Sequence, residues 1–116
     1  MQLHRRDVVD KATQLLDDYG IADLTMRRLA RELNVSPGAL YWHFADKQAL
    51  LGAVADRILE PTAGAVDEAP WSHRVVSVCT ALRNALLSST DGAELVSASF
   101  AAGKSERITE ILTRLT

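Results

Sequence analysis

Residues 34–44, "NVSPGALYWHF", contain the most informative helix of this sequence. Ser36 is a typical helix N-cap and Pro37 is a typical first helical residue, so the pattern predicts a helix of barely two turns. Gly38 weakens such a helix by about 1 kcal/mol relative to alanine. Three aromatic residues and a histidine nevertheless crowd its end, over residues 41–44. This composition does not favour helix stability, and it indicates a helix that contacts something outside its own domain.

The flanking sequence predicts further helices on both sides. We expect a first helix over residues 3–19, with Tyr19 on its buried apolar stripe, stopped by Gly20. A short second helix follows the N-cap Thr25. Asp46 predicts the start of a fourth helix, which ends before Pro61. Beyond it we expect, in order, a connection over 61–70, a long helix from Trp71, a break at 88–92, and the helical stretches "AELVSASF" and "SERITEILTRL". No segment shows the alternation of apolar and polar residues that is typical of a β-strand, so the predicted fold is all-α.

Composition restricts the possible functions. The chain has 116 residues, 47% of them apolar, and a net charge of −2, which is a globular rather than a disordered profile. A mildly acidic chain is not typical of indiscriminate nucleic-acid binders. The single cysteine, Cys79, suits a reducing compartment, and neither a signal peptide nor a membrane-length apolar run is visible. These features predict a cytoplasmic protein without membrane association.

Two short helices joined by a tight turn, with a longer helix before and another after, predict a helix-turn-helix. The second helix of such a pair enters the DNA major groove. Gly38 and Ala39 would let its backbone approach the bases closely. Tyr41 and His43 could donate to phosphates, and aromatic surface could contact a thymine methyl group.

The surrounding residues agree with this interpretation. Leu40 and Phe44 are four residues apart and would anchor the helix to its own core. Lys47, at the start of the next helix, is placed for a phosphate contact. Residues 25–47 carry four basic and two acidic side chains, a net charge of +2. Arginines on a helix are often only solvated, however, and aromatic clusters are often core, so Trp42 fits either role.

The stretch "LTMRRLARELNVSPGALYWHFADKQALL" resembles the DNA-binding head of the TetR family of bacterial repressors. The resemblance rests on the threonine before the first short helix, the spaced alanine and leucine, "LYWHF", and the lysine-containing helix start. It covers roughly residues 8–59. A second stretch, "ALRNALLSSTDGAELV", resembles the tetracycline-responsive members of this family, in which a helix ends in "ALLS" before an "RDGA" turn.

The resemblance implies a homodimer, a palindromic double-stranded DNA operator and a ligand-binding domain built from the later helices. We expect residues 1–46 to form the helix-turn-helix head. Residues 47–116 would form the connecting helix and the N-terminal part of the ligand-binding domain. The last helix is still periodic at Thr116, so we expect further helices beyond it, through which the dimer would form. The implied DNA contacts are Thr25, Arg27, Ser36, Pro37, Gly38, Ala39, Tyr41, Trp42, His43 and Lys47.

The resemblance also bears on the ligand. The positions that hold the magnesium–drug complex in the tetracycline-responsive members are Ala63, Val78 and Val96 here. Aliphatic side chains cannot ligate a hard metal, so we expect an apolar or weakly polar inducer. The residues expected to line the inducer pocket are Ile58, Val78, Leu82, Leu86, Val96 and Phe100. Each of them could instead simply pack in the hydrophobic core.

Other chemistry has little support in the sequence. His4, His43 and His73 share no metal-binding spacing, and Cys79 is expected to be a buried small hydrophobe. No phosphate loop or nucleophile elbow is present, so we expect no enzyme, no cofactor and no metal site. Three hypotheses remain: a ligand-responsive repressor, a helical interaction module that does not bind DNA, and a small-molecule-binding domain without regulatory output.

Overall fold

The computed structural model describes residues 2–64 and 70–115, and every regular element in these two ranges is helical. The all-α prediction is therefore confirmed. Short 3-10 helices at Ile21–Asp23 and Glu60–Gly64 supplement the α-helices. The α-helices are α1 (Arg5–Tyr19), α2 (Met26–Glu32), α3 (Pro37–His43), α4 (Lys47–Ile58), α5 (Trp71–Leu87), α6 (Gly92–Ala101) and α7 (Glu106–Leu115). Part of the connection expected over 61–70 lies outside the described residues.

Three predicted N-caps are confirmed. Thr25, Ser36 and Asp46 each accept a hydrogen bond from the backbone N–H three residues later, and so satisfy one of the unpaired donors at the start of a helix. The oxygen–nitrogen distances are 3.1 Å to Arg28, 3.4 Å to Ala39 and 2.8 Å to Ala49. The starts of α2, α3 and α4 thus follow from local sequence.

The turn between α2 and α3 is compact because Asn34 adopts a left-handed conformation with φ 56°. The backbone N–H of Asn34 donates to the carbonyl of Arg31 at 3.1 Å, and that of Val35 donates to Ala30 at 3.0 Å. This pair of bonds is a Schellman motif, which satisfies the last carbonyls of α2. Asparagine tolerates the left-handed region better than most residues. The helix-turn-helix therefore closes within a few residues.

The core around this motif consists of side chains from α1 to α4. Leu40 and Phe44 are almost fully buried, which confirms that they anchor α3. Tyr19, which the periodicity of α1 predicts on the buried stripe, is instead 54% exposed, with its ring centroid 4.1 Å from the guanidinium of Arg28. Other fully buried members of this core include Val8, Leu16, Leu24, Leu29, Leu50 and Val54.

Helix α4 packs on both α1 and α6, and so connects the helix-turn-helix to the later helices. Gly52 on α4 is buried, and a Cβ atom there would overlap the backbone carbonyl of Lys104. Lys104 follows Gly103, whose φ of +69° ends α6 in the same manner as Asn34 ends α2. The backbone of the α6–α7 loop thus lies directly against α4.

The burial prediction for Cys79, like that for Tyr19, is wrong. Cys79 was expected to be a buried hydrophobe but is exposed, because its neighbour Val78, at 3% exposure, occupies the buried face of α5 and Cys79 lies one helical step further round. None of the helices in the described ranges has the length and apolar character needed to span a membrane.

Candidate nucleic-acid interface

Helix α3 has one buried face and one exposed face. Leu40 and Phe44 point into the core, while Tyr41 is 50% and Trp42 86% exposed. Indole surface is rarely left so open to water, because its burial is favourable. The structure therefore decides between the two roles considered for Trp42. Its side chain is not part of the core, and it is available to contact a partner.

The N-terminal half of α3 is slim, as the sequence predicts. Gly38 is exposed, and a Cβ atom there would meet only the hydroxyl of Ser36, at 3.8 Å. The fold therefore has room for a side chain at this position, and no packing requirement explains the glycine. Pro37 is also exposed, whereas Ala39 is partly buried. A close approach of this surface to another molecule would explain a small residue at position 38.

The cap hydroxyls of Thr25 and Ser36 lie at the exposed starts of α2 and α3. Each hydroxyl oxygen accepts a backbone N–H, and a hydroxyl also carries a proton that it can donate. Both groups can therefore donate outward to an acceptor such as a phosphate oxygen while they cap their helices.

Two basic residues, Arg27 and Lys47, lie on or next to the helix-turn-helix. Lys47 is the first residue of α4, where a cation opposes the helix dipole, so helix stability does not favour it. A phosphate at this helix start would be attracted both by the ammonium group and by the dipole. Arg27 on α2 is exposed, and its side chain makes no hydrogen bond or ion pair with any described residue. It borders a polar groove of about 390 Å³ beside the start of α2.

The structure adds Arg5, which no sequence pattern indicated. The guanidinium of Arg5 donates to the backbone carbonyl of His43 at 3.3 Å and lies 4.3 Å from the centroid of the Phe44 ring. His43 itself is partly buried at the end of α3. Arg5 is 38 residues away in the chain, and no local pattern could have indicated this contact.

The expected ligand-lining residues divide into two groups. Leu82, Leu86, Val96 and Phe100 line one apolar groove of about 310 Å³ between α5, α6 and α7. Ile58 and Val78 do not line it and are buried in the core, at 4% and 3% exposure. The groove is completed by four residues outside the expected lining, Ala93, Ser97, Ile108 and Leu112.

The tetracycline-related positions can be located in part. Val78 and Val96 are buried aliphatic side chains, whereas at Ala63 the structure describes the backbone only. Within the described ranges, no three His, Cys, Asp or Glu side chains are grouped in a way that could hold a metal ion.

A family model described as "Bacterial regulatory proteins, tetR family" matches residues 8–54. Among curated proteins, the tetracycline repressor protein class C of Escherichia coli is 39% identical over 97 residues. This match covers 81% of the present chain and 44% of that repressor. The chain thus spans less than half the length of this relative.

Solved structures are similar over nearly the whole chain. BioQ of Mycobacterium smegmatis is 65% identical with a TM-score of 0.96, and the match covers 98% of this chain and 63% of BioQ. A structure of BioQ with its natural double-stranded DNA operator is also 65% identical, with a TM-score of 0.95 and coverages of 98% and 68%. A variant of TetR from Acinetobacter baumannii, in complex with minocycline, is 36% identical with a TM-score of 0.75, over 82% of this chain and 49% of that protein.

Proposed function

Because the chain belongs to the TetR family of bacterial regulatory proteins, we propose that it is a ligand-responsive transcriptional repressor. In this proposal it binds palindromic operator DNA as a homodimer in the cytoplasm and performs no catalysis. The observation that carries the proposal is the surface of α3, where a slim N-terminal half and two exposed aromatic side chains stand on a helix anchored by Leu40 and Phe44. BioQ, which is 65% identical to this chain, has been solved with its double-stranded DNA operator, and this supports a DNA-binding role.

The proposed contacts follow from the chemistry of each group. Helix α3 enters the major groove with Pro37, Gly38 and Ala39 nearest to the base edges. The hydroxyls of Thr25 and Ser36 donate to phosphates. The remaining proposed phosphate and sugar contacts come from Arg27, Tyr41, Trp42, His43 and Lys47.

We place the boundary of the DNA-binding head after residue 46. In this division α4 to α7 form the start of the ligand-binding domain. One head neutralises few phosphates, so tight binding requires two heads about one helical turn, roughly 34 Å, apart. A homodimer on a palindromic operator meets this requirement.

Induction is proposed to use the groove between α5, α6 and α7. Its lining of leucine, valine and phenylalanine suits an apolar or weakly polar small molecule. A ligand seated there would act on α6, which packs on α4, and α4 follows α3 directly in the chain. We propose that the ligand tilts α4 and so changes the separation of the two heads in the dimer. A ligand that binds this tilted state more favourably by about 1–3 kcal/mol would lower operator affinity about 5- to 150-fold.

The test is selection of bound duplexes from a random double-stranded library, followed by titration of the selected duplex at several salt concentrations. We expect a palindromic consensus and a log affinity that falls linearly with log salt. Recovery of no consensus would refute specific DNA binding. Release of the selected duplex is then compared between apolar compounds and magnesium–tetracycline, and release by the latter would contradict the proposed apolar inducer.

A further inference from the structure

The C-terminal turn of α3 has little intrinsic stability. The helix contains only seven residues, one of them glycine, and the last carbonyls of a helix have no partner within it. The N–H of Phe44 closes the final turn by donating to Leu40 at 2.9 Å. The carbonyl of His43 lies beyond this bond, and it accepts instead from the guanidinium of Arg5.

The position of Arg5 is fixed by the packing of α1 and by the ring of Phe44. It is the first residue of α1, and Val8 and Val9, at 0% and 8% exposure, bury the next turn of that helix in the core. Its guanidinium also lies over the ring of Phe44, which is itself 1% exposed. One planar cation therefore combines a hydrogen bond to the end of α3 with a cation–π contact to the residue that anchors that end. A positive charge is also favourable at a helix C-terminus.

We propose that Arg5 is a positioning residue for DNA recognition, which fixes the C-terminal turn of α3 from α1. This inference rests on the proposed function of α3. Tyr41 and Trp42 are in that turn, and both are exposed. A rotation or fraying of the turn would move their side chains directly, while Ser36 would still hold the other end of the helix. Arg5 thus determines whether the second half of α3 meets DNA in a single orientation.

A direct phosphate contact by Arg5 is the competing role, because the side chain is exposed. The two roles differ in measurable ways. A phosphate contact raises the affinity for all DNA sequences equally and increases the salt dependence of binding. A positioning residue instead raises the affinity of the specific complex. The useful variants are Arg5→Met, which removes the charge and the donors, and Arg5→Lys, which keeps a positive charge but loses the planar guanidinium. Arg6→Met is the matched control, because Arg6 is also exposed in the first turn of α1 and its side chain bonds to no described residue.

The first measurement is amide hydrogen exchange of the free full chain over residues 40–46. In Arg5→Met we expect faster exchange of this segment and unchanged exchange in the centre of α1. In Arg6→Met we expect wild-type exchange. Wild-type exchange of residues 40–46 in Arg5→Met would overturn the proposal whether or not the protein binds DNA.

The second measurement is affinity for a selected duplex and for an unrelated duplex at several salt concentrations. We expect Arg5→Met to lose about tenfold in specific affinity, with non-specific affinity and salt slope retained. Equal losses on both duplexes, with a salt slope smaller by about 1 and recovery in Arg5→Lys, would identify a phosphate contact and overturn the proposal. Failure of the wild type to prefer any duplex would refute the proposed function instead, and the exchange measurement would still decide the role of Arg5.

Discussion

The carboxylate of Asp91 accepts a hydrogen bond from the backbone N–H of Ile21 at 3.0 Å, across 70 residues of chain. The adjacent Thr90 makes two more such bonds to Asp17, through its N–H to the carboxylate at 3.1 Å and through its hydroxyl to the carbonyl at 2.8 Å. The turn between α5 and α6 is therefore fastened to the end of α1. Asp91 holds this position in a left-handed conformation, with φ 55°.

Replacement of this carboxylate should loosen the connection. We expect Asp91→Ala to lower the free energy of unfolding by about 1 kcal/mol, because Ile21 loses its acceptor and alanine tolerates a positive φ less well than aspartate. Urea denaturation measures the effect, and exchange of the Ile21 amide localises it. Glu94→Ala is the control, since Glu94 is exposed in the first turn of α6, directly after Asp91, and its side chain bonds to no described residue. Equal effects of the two substitutions would show that the Asp91 bond contributes nothing.

Two glycine-to-alanine substitutions should have opposite effects on stability. In Gly52→Ala the new methyl group would overlap the carbonyl of Lys104, so we expect a loss of about 2 kcal/mol. In Gly38→Ala the methyl group makes only an ordinary contact with the Ser36 hydroxyl, at 3.8 Å, and the better helix propensity of alanine should raise stability by up to about 1 kcal/mol. Thermal melts of both variants test this contrast. A stable Gly52→Ala protein would mean that the α6–α7 loop can move away from α4 at little cost.

Bulk at position 38 should impair DNA binding without unfolding the protein. We expect Gly38→Leu to abolish specific binding, because its side chain would stand between α3 and the base edges, and to keep a near-wild-type melting temperature. Gly38 is a cleaner probe than Ala39, which is partly buried. Specific affinity is measured against the selected duplex, with Gly38→Ala as the milder comparison. Full specific affinity in Gly38→Leu would exclude position 38 from the closest approach.

Lys47 should contribute to affinity but not to sequence preference. Loss of one phosphate contact per head in Lys47→Ala should weaken all duplexes similarly and reduce the salt slope by about 1 per head. Lys11→Ala is the control, because Lys11 lies on α1 outside the proposed contacts and donates to Gln14. A changed sequence preference with an intact salt slope would contradict the assignment.

Ser99 on α6 is expected to destabilise the fold. Its side chain is fully buried, and its hydroxyl has no hydrogen-bond partner among the described residues. We expect Ser99→Ala to raise the free energy of unfolding by about 1 kcal/mol, since it removes an unsatisfied buried polar group. Ser97→Ala, on the exposed side of α6, should gain only the difference in helix propensity. Destabilisation by Ser99→Ala would reveal a hydrogen bond that the hydroxyl makes in solution.

Local signals predicted most of the helix-turn-helix. Thr25, Ser36 and Asp46 cap their helices as expected, because a cap involves groups only three residues apart. Leu40 and Phe44 are buried as expected, because one helical turn places them on the same face. Such interactions depend on residue type and spacing, and both can be read from the sequence.

Local patterns were less informative about burial on α5 and at Tyr19. Cys79 follows the buried Val78, and the apolar sequence of α5 did not show on which side of Val78 the buried face ends. The periodicity of α1 predicted a buried Tyr19, but its ring lies outside the core against Arg28. Burial at the margin of a helix face depends on which neighbour packs there.

By itself, the sequence determined the order of the helices, the starts of α2, α3 and α4, and the composition of the surface of α3. It did so because helix caps and helix faces are interactions within a few residues. Only the tertiary structure decided that Trp42 stands in solvent, that Arg5 reaches His43, and that Asp91 reaches Ile21. Each of these depends on how whole helices pack, and contacts between residues 38 or 70 positions apart leave no periodic trace in a single chain.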